Sequence, residues 1–488
     1  MMSPARATGI LAIGTAATLL AGILVAKALA ILTGPEGVGL YALLQSLLGL
    51  ATILFGLGVG TGIVRATARA VADDEEDRRA ALRGAGMLLA IGGGLLGGLL
   101  LILFRDSIAT LFLGGSAYAW AVVLMAPALL LQLASAVEFG YLNGHHRVRT
   151  MAIATAGSSI LGAAVIVTLV ARWGTGALPF ALVATSAVSL LTTAVARHRS
   201  VGEARHAVSR VRLSEAARWL VGFGGTYTLS QLVGTGAQLV IPVIVLSLLG
   251  HDSVGYVRAA SAVAIGYLSV LLSTMARDYY PRAAAAEATE PALRRLVSDQ
   301  GRLILALSAP LILATSALAP MIIAILYSDA FSPATSVLQW MLVGDVLKLL
   351  SWTGSFVILA RGGPGVYFLI ELIGGTCLLV TTVVAVNAVG VAGVGLGYAI
   401  TYAIYLSVVW VAVRPIVRMP VTSDLVAGIA LATALAAFQV VRPGVPAAIS
   451  TALLLGGTAI ALAIGWRTIR SGTSAPRPGP VSPVATGS

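Results

Sequence analysis

The sequence predicts an all-α polytopic membrane protein of about fourteen transmembrane helices. They form two six-helix lobes related by a pseudo-twofold parallel repeat, with a further helix pair at the C-terminal end. Three observations lead there. The 488 residues are 58% hydrophobic and only 10% charged, whereas a soluble domain carries about 25% charged residues. The chain divides into fourteen apolar runs, each able to cross about 30 Å of hydrocarbon. With the N-terminus placed in the cytoplasm, 25 of the 31 Lys and Arg residues fall in inside segments and three in outside loops. That asymmetry is the one that orients membrane helices.

The first run, 8–32, follows MMSPARATGI. It is longer than a signal-peptide core and lacks a clear cleavage site, so it is expected to be a retained first helix. TGPEGVGLYA at 33–42 turns the chain into the second run, 38–64. The glycines of GLGVGTG at 56–62 are expected inside that helix as packing residues, with Gly56 and Gly60 four apart. An inside loop carrying DDEED at 73–77 leads to 84–104; a short outside loop leads to 117–139. LNGHHRVR at 142–149 precedes 151–171 and 177–197, which complete the N-lobe, residues 1–200.

Residues 201–218 form the expected cytoplasmic inter-lobe loop. The C-lobe, 219–415, holds the runs 219–249, 253–276, 303–326, 334–360, 364–388 and 392–413. Runs 424–441 and 447–466 make the last pair within 416–468, and 469–488 is a Pro/Ser/Gly-rich tail expected to be disordered in the cytoplasm. TGPEGVGLYA is echoed by LGHDSVGYVR at 249–258, an offset of 216 that aligns Gly34 with Gly250, Val38 with Val254 and Gly39 with Gly255. Six helices return the chain to the same side, so the repeat is parallel, a construction that recurs in secondary transporters.

Several chemistries are excluded or unsupported. The net charge of +12 is distributed between apolar runs rather than clustered with aromatics, so nucleic acid is not an expected partner. No G-x-x-x-x-G-K-[ST] motif is present. The five histidines are expected in loops, without metal spacing, and the single Cys377 forms no disulfide framework. No catalytic residue, metal or cofactor is expected. The outside loops are short, which leaves no room for an extracytoplasmic catalytic domain.

Ions inside hydrocarbon cost a few kcal/mol each and point to function. Six fall within the runs: Lys27, Glu138, Arg258, Asp345, Lys348 and Glu371. Asp345 and Lys348 are three residues apart and share a helix face with Trp352. They suit either a packing salt bridge or a coupling network. Lys27 and Lys348 are the only lysines; lysine, unlike arginine, can lose its proton when desolvated. Lys27 and Arg258 either snorkel to the outer interface or make a central cavity cationic, which would suit a phosphate-bearing substrate. Three roles are open to Glu138 and Glu371: snorkelling, pairing with arginine, or carrying a coupling proton.

These segments resemble the O-antigen translocase (Wzx-type) flippases of the multidrug/oligosaccharidyl-lipid/polysaccharide exporter superfamily. The similarity runs over roughly residues 8–413. It is carried by Lys27, Gly34, Pro35, Gly37 and Gly39 at the start, by LNGHHRVR, and by MARDYYPRAAA at 275–285. QWMLVGDVLKLLSWTGSFVILARG at 339–362 supplies Gly344, Asp345, Lys348 and Trp352, and the next run supplies Glu371. Arg258 and the terminal helix pair depart from the family pattern.

The resemblance implies a flippase of the bacterial inner membrane. Its cargo would be undecaprenyl-pyrophosphate-linked oligosaccharide, carried from the cytoplasmic to the periplasmic leaflet by alternating access. Cargo, membrane lipid and other polysaccharide-assembly proteins are the implied partners. Arg65, Arg69, Arg277 and Arg282, at the inner mouths of two helices, are candidates to gather the pyrophosphate, and plain positive-inside topology also accounts for them. The alternatives are a cation-coupled multidrug exporter of the same superfamily, for which basic intramembrane residues are the wrong sign, and a lipid II-type flippase. A membrane polymerase or glycosyltransferase would need an outer loop or acidic motif that this sequence lacks.

Overall fold

The computed structural model describes residues 4–201, 209–285, 290–361, 363–416, 423–441 and 447–472. Residues 202–208 of the expected inter-lobe loop and 473–488 of the tail lie outside them, and residues 210–218, expected in that loop, are helical. The described residues are helical almost throughout. Nine of their helical stretches are long and apolar enough to cross a membrane. Two of the nine are double length. Gly14–Gly56 reverses at Gly34 (φ 65°, ψ −168°), and Val148–Val201 turns through a single 3-10 turn at Gly174–Ala177.

The first elements are α1 (Pro4–Gly56), α2 (Val59–Ala72), α3 (Glu76–Leu103), the short α4 (Arg105–Leu113), α5 (Ala119–Gly144), α6 (Val148–Trp173) and α7 (Leu178–Val201). Next come α8 (Arg210–Leu249), α9 (His251–Ala285), α10 (Glu290–Leu326), α11 (Ala334–Arg361), α12 (Pro364–Val389), α13 (Ala392–Val413), α14 (Ser423–Val441) and α15 (Ala447–Gly472). At 1.5 Å per residue, α1 would be far too long for one crossing without its turn.

By packing, the chain forms two compact units. One comprises residues 1–265, 320–341 and 368–401. In it α5 packs against α3 and α7, α6 against α1 and α7, and α2 against α5 and α3, while α8 leans on α1 and α3. The core is small-residue rich: Ala85, Ala90, Gly94 and Gly98 of α3 are buried on this plan, which lets backbones approach closely. The other unit comprises 266–319, 342–367 and 402–488. There Tyr279 donates to the Thr353 carbonyl (2.8 Å), Arg361 Nε donates to the Ala283 carbonyl (3.0 Å), and Gly354 abuts Val409.

The second expected run departs from the sequence reading. GLGVGTG does not sit within one helix. α1 stops at Gly56, Leu57 (φ 45°) and Gly58 (φ 57°) are left-handed, and α2 starts afresh at Val59. Tertiary contact accounts for the break. Gly224 of α8 lies so close to the Leu57 carbonyl that no side chain would fit, and a Cβ on Gly58 would stand 2.6 Å from Tyr227 Cδ1. The histidines also differ from expectation: His198 lies in α7, and His251 opens α9 with Nε2 3.0 Å from the Leu113 carbonyl.

Within the first unit the echoed motifs meet each other. Gly34 and Gly250, aligned by the offset, both adopt a positive φ with an extended ψ (65°, −168° and 82°, 180°), a region open essentially to glycine alone. Four or five residues on, α1 and α9 cross without side chains between them. A Cβ on Gly39 would overlap the His251 carbonyl, and a Cβ on Gly255 would overlap the Pro35 carbonyl. Pro35 and His251 are themselves one offset apart, so the contact is reciprocal.

Candidate functional site

Charged side chains inside apolar helices are the candidates, and the fold gives each of them different company. Glu138 is 2% exposed, in the C-terminal half of α5. Its Oε1 accepts from Arg83 Nη2 of α3 at 2.6 Å, and its Oε2 lies 2.6 Å from Arg197 Nε of α7. Arg197 is itself only 6% exposed. Of the roles open to Glu138, pairing with arginine is the geometry observed. The carboxylate ties three helices together through the guanidiniums of α3 and α7. Ser135 and Ser189 bridge α5 and α7 one turn away (Oγ···Oγ 2.8 Å).

Lys27 meets the end of another helix. Its Nζ donates to the carbonyls of Ala324 (3.3 Å) and Tyr327 (2.5 Å), at the C-terminal end of α10. Those carbonyls have no partner further along the helix, and the helix dipole is negative there, so an ammonium is well placed. Arg258 is exposed on α9 and donates from Nη2 to Gln45 Oε1 of α1 at 3.1 Å. It is also near enough to act electrostatically on the phenols of Tyr41 and Tyr327. The structure thus brings Lys27 and Arg258 to the same neighbourhood, around Tyr327.

Asp345 and Lys348 lie in α11, Asp345 fully buried and Lys348 9% exposed. Lys348 Nζ sits 5.1 Å from the ring centre of Tyr402 and 5.9 Å from that of Trp352, within range of cation–π attraction. Glu371 is half-buried in α12. It belongs to the first packing unit, whereas Asp345 and Lys348 belong to the second.

The arginines expected at the inner mouth also differ from one another. Arg282 is exposed and pairs with Asp278 one turn back on α9 (2.5 Å). Arg65 is exposed on α2 with its guanidinium 5.6 Å from the centre of the Phe223 ring. Arg69 is exposed one turn further on the same face. Among the described residues no group of three or more His, Cys, Asp or Glu side chains could hold a metal ion.

Two features escaped the sequence reading. The partners of Glu138 were in view only as positive-inside arginines; sequence separation gives no sign that they converge. The second is a column of rings on α8. Trp219 and Phe223 are parallel (5.5 Å, 1°), and Phe223 and Tyr227 nearly so (6.0 Å, 17°). Their spacing of four residues was the available signal.

The chain is similar to known proteins over most of its length. Residues 28–336 match the model of the family described as polysaccharide biosynthesis protein. A protein of Escherichia coli (strain K12) named lipid III flippase is 23% identical over 416 residues, covering 83% of this chain and 97% of that protein. The lipid III flippase of Shigella flexneri matches to the same extent. Among solved structures, the lipid II flippase MurJ in an inward closed conformation superposes with a TM-score of 0.69 at 14% identity, over 95% of this chain and 99% of that one. An inward-facing multidrug resistance MATE family transporter of the MOP superfamily gives 0.67 at 16% identity, over 86% and 95%.

Proposed function

Because the chain belongs to the polysaccharide biosynthesis protein family, we propose that it is a flippase for lipid-linked oligosaccharide. It is a multi-pass protein of the bacterial inner membrane and a transporter, not an enzyme. The cargo is an undecaprenyl-pyrophosphate-linked glycan, an O-antigen unit or similar, moved from the cytoplasmic to the periplasmic leaflet. The family match carries this reading, and the lipid III flippase relatives, aligned over 416 residues, support it. The physics agrees. A pyrophosphate with sugars cannot enter hydrocarbon unaided, so it needs a polar path while the prenyl chain stays in lipid.

In this proposal the two lobes are 1–200 and 219–415, joined by 201–218, with both termini cytoplasmic. Splitting the two double-length stretches at Gly34 and at Gly174–Ala177, and counting α9, α14 and α15, yields fourteen crossings. The reciprocal crossing of Gly39 and Gly255 supports a pseudo-twofold relation between the lobes. Arg65 and Arg282 gather the pyrophosphate at the inner mouth, and Lys27 and Arg258 give the path a positive character further out. Asp345 and Lys348 are the coupling element, Glu371 is a further candidate for coupling, and Glu138 with Arg83 and Arg197 is a separate charge cluster. Lys27, Asp345, Lys348 and Glu371 lie outside the residues matched to the family model, so their roles rest on their geometry.

The test is transport of a labelled prenyl-pyrophosphate oligosaccharide in proteoliposomes under defined ion gradients. Movement of the label to the opposite leaflet is the expected result. No movement under any gradient, with efflux of organic cations instead, would replace this reading by a multidrug exporter. Movement of lipid II alone would narrow the cargo to a peptidoglycan precursor.

A further inference from the structure

We infer that the aromatic column of α8, together with the facing arginines of α2, is a glycan subsite that holds the sugar portion of the cargo beside its pyrophosphate. This rests on the flippase reading above and adds to it the place and chemistry of sugar contact.

The column is Trp219, Phe223 and Tyr227, one per turn, over about 12 Å of helix. Trp219 is 37% exposed. A ring at this depth could simply sit at a lipid interface, as aromatic belts do. Its neighbours argue otherwise. Thr226 and Ser230 are exposed and stand seven residues after Trp219 and Phe223, on the same helix face. Gly222 and Gly225, also exposed, have open space where a side chain would be. Exposed hydroxyls gain nothing from hydrocarbon, so this face is suited to water or to a polar ligand.

The cations are beside it. Arg65 lies over the Phe223 ring at 5.6 Å, and Arg69 follows on the same exposed face of α2. Neither arginine forms an ion pair among the described residues. The break at Leu57–Gly58 holds the two helices together here, because Tyr227 packs directly on Gly58 and Phe223 on Gly62. Rings, hydroxyls and uncompensated guanidiniums are therefore fixed on one side of the α2–α8 pair. A pyranose offers apolar C–H faces between hydroxyl edges, and a pyrophosphate offers bidentate anionic oxygens. The first suits the rings and hydroxyls; the second suits Arg65 and Arg69.

The test uses the full-length protein in proteoliposomes with two cargoes, a prenyl-pyrophosphate oligosaccharide and a prenyl-pyrophosphate bearing one sugar. The variants are W219L, W219Y and the double variant W219L/T226V, each checked for folding by its thermal midpoint. W219L/T226V is expected to lower oligosaccharide transport about tenfold and single-sugar transport less than twofold, and W219Y to restore most of the loss. Equal transport of both cargoes by a folded double variant overturns the subsite and leaves the flippase reading intact. An equal fall for both also overturns it, since the column would then serve gating or pyrophosphate binding. Failure of the unsubstituted protein to move either cargo overturns the flippase reading, and the subsite with it.

Discussion

Glu138 and Asp345 are both carboxylates buried in apolar helices, and they keep different company. Glu138 meets two arginines, from α3 and α7, with both contacts at 2.6 Å. Arginine does not give up its proton, so both cations that tie the three helices together are permanent. Asp345 shares a face of α11 with a lysine whose ammonium lies between the Tyr402 and Trp352 rings. An aromatic surround stabilises the cation. In the first cluster both cations are arginines. In the second the cation is a lysine, a residue able to lose its proton when desolvated.

The largest expected effect breaks the first cluster. Glu138→Gln leaves two guanidiniums facing each other, and unfolding in detergent should show a loss of about 3–5 kcal/mol. Glu138→Gln combined with Arg197→Gln should recover part of that loss; no recovery would mean that Arg83 alone carries the pair. Next is Lys348→Arg, which keeps the charge and removes the ability to lose it. Transport should fall about tenfold, a barrier change of about 1.4 kcal/mol, with the thermal midpoint nearly unchanged. Wild-type transport in this variant would reduce the α11 group to a second fixed charge, like the first. Asp345→Ala, Lys348→Ala and their double variant separate the two roles again. A folded double variant that transports normally marks a packing bridge, and three folded but inactive proteins mark a mechanism.

Lys27 sharpens the contrast, because it is a lysine held as firmly as an arginine. Lys27→Met removes the donor to the Ala324 and Tyr327 carbonyls and should cost about 1–2 kcal/mol of stability. Lys27→Arg should cost less. The smallest effect concerns His145, at the C-terminal end of α5, beyond the Glu138 cluster. Burial lowers its imidazole pKa, the Tyr141 carbonyl pulls it back up, and Arg79, Arg147 and His146 lower it further. A lowered value means that the fold favours neutral imidazole. That contribution is present above about pH 6.5 and is lost as the pH falls through the folded value. The acid-side fall of the thermal midpoint should therefore be slightly shallower in His145→Gln.

Much of the architecture was legible in the sequence, since apolar runs and arginine placement are one-dimensional signals of a one-dimensional constraint, the membrane normal. The Gly34 and Gly250 alignment was legible too, because a backbone region open only to glycine leaves its mark in residue identity. The break at Leu57–Gly58 was not. Gly56 and Gly60 also satisfy a helix-packing pattern, and what selects the break is the approach of Gly224 and Tyr227, more than 160 residues away. The candidate site was legible as a set of intramembrane charges and not as a set of partners. Arg83 is 55 residues from Glu138, and nothing in its local sequence distinguishes it from the arginines around it.

The crossing of α1 and α9 has a consequence for how such a chain could arise. Each motif brings both halves of the contact, a bare glycine and, four residues earlier, the carbonyl that the other motif's glycine covers. Contacts of that kind are isologous, as in a two-fold homodimer. A half-length ancestor carrying a single copy would meet its twin through the same surface, before any fusion. Joining two such genes would then require a linker and no new interface, and Lys27 and Arg258, which are not one offset apart, would be later additions to one half each.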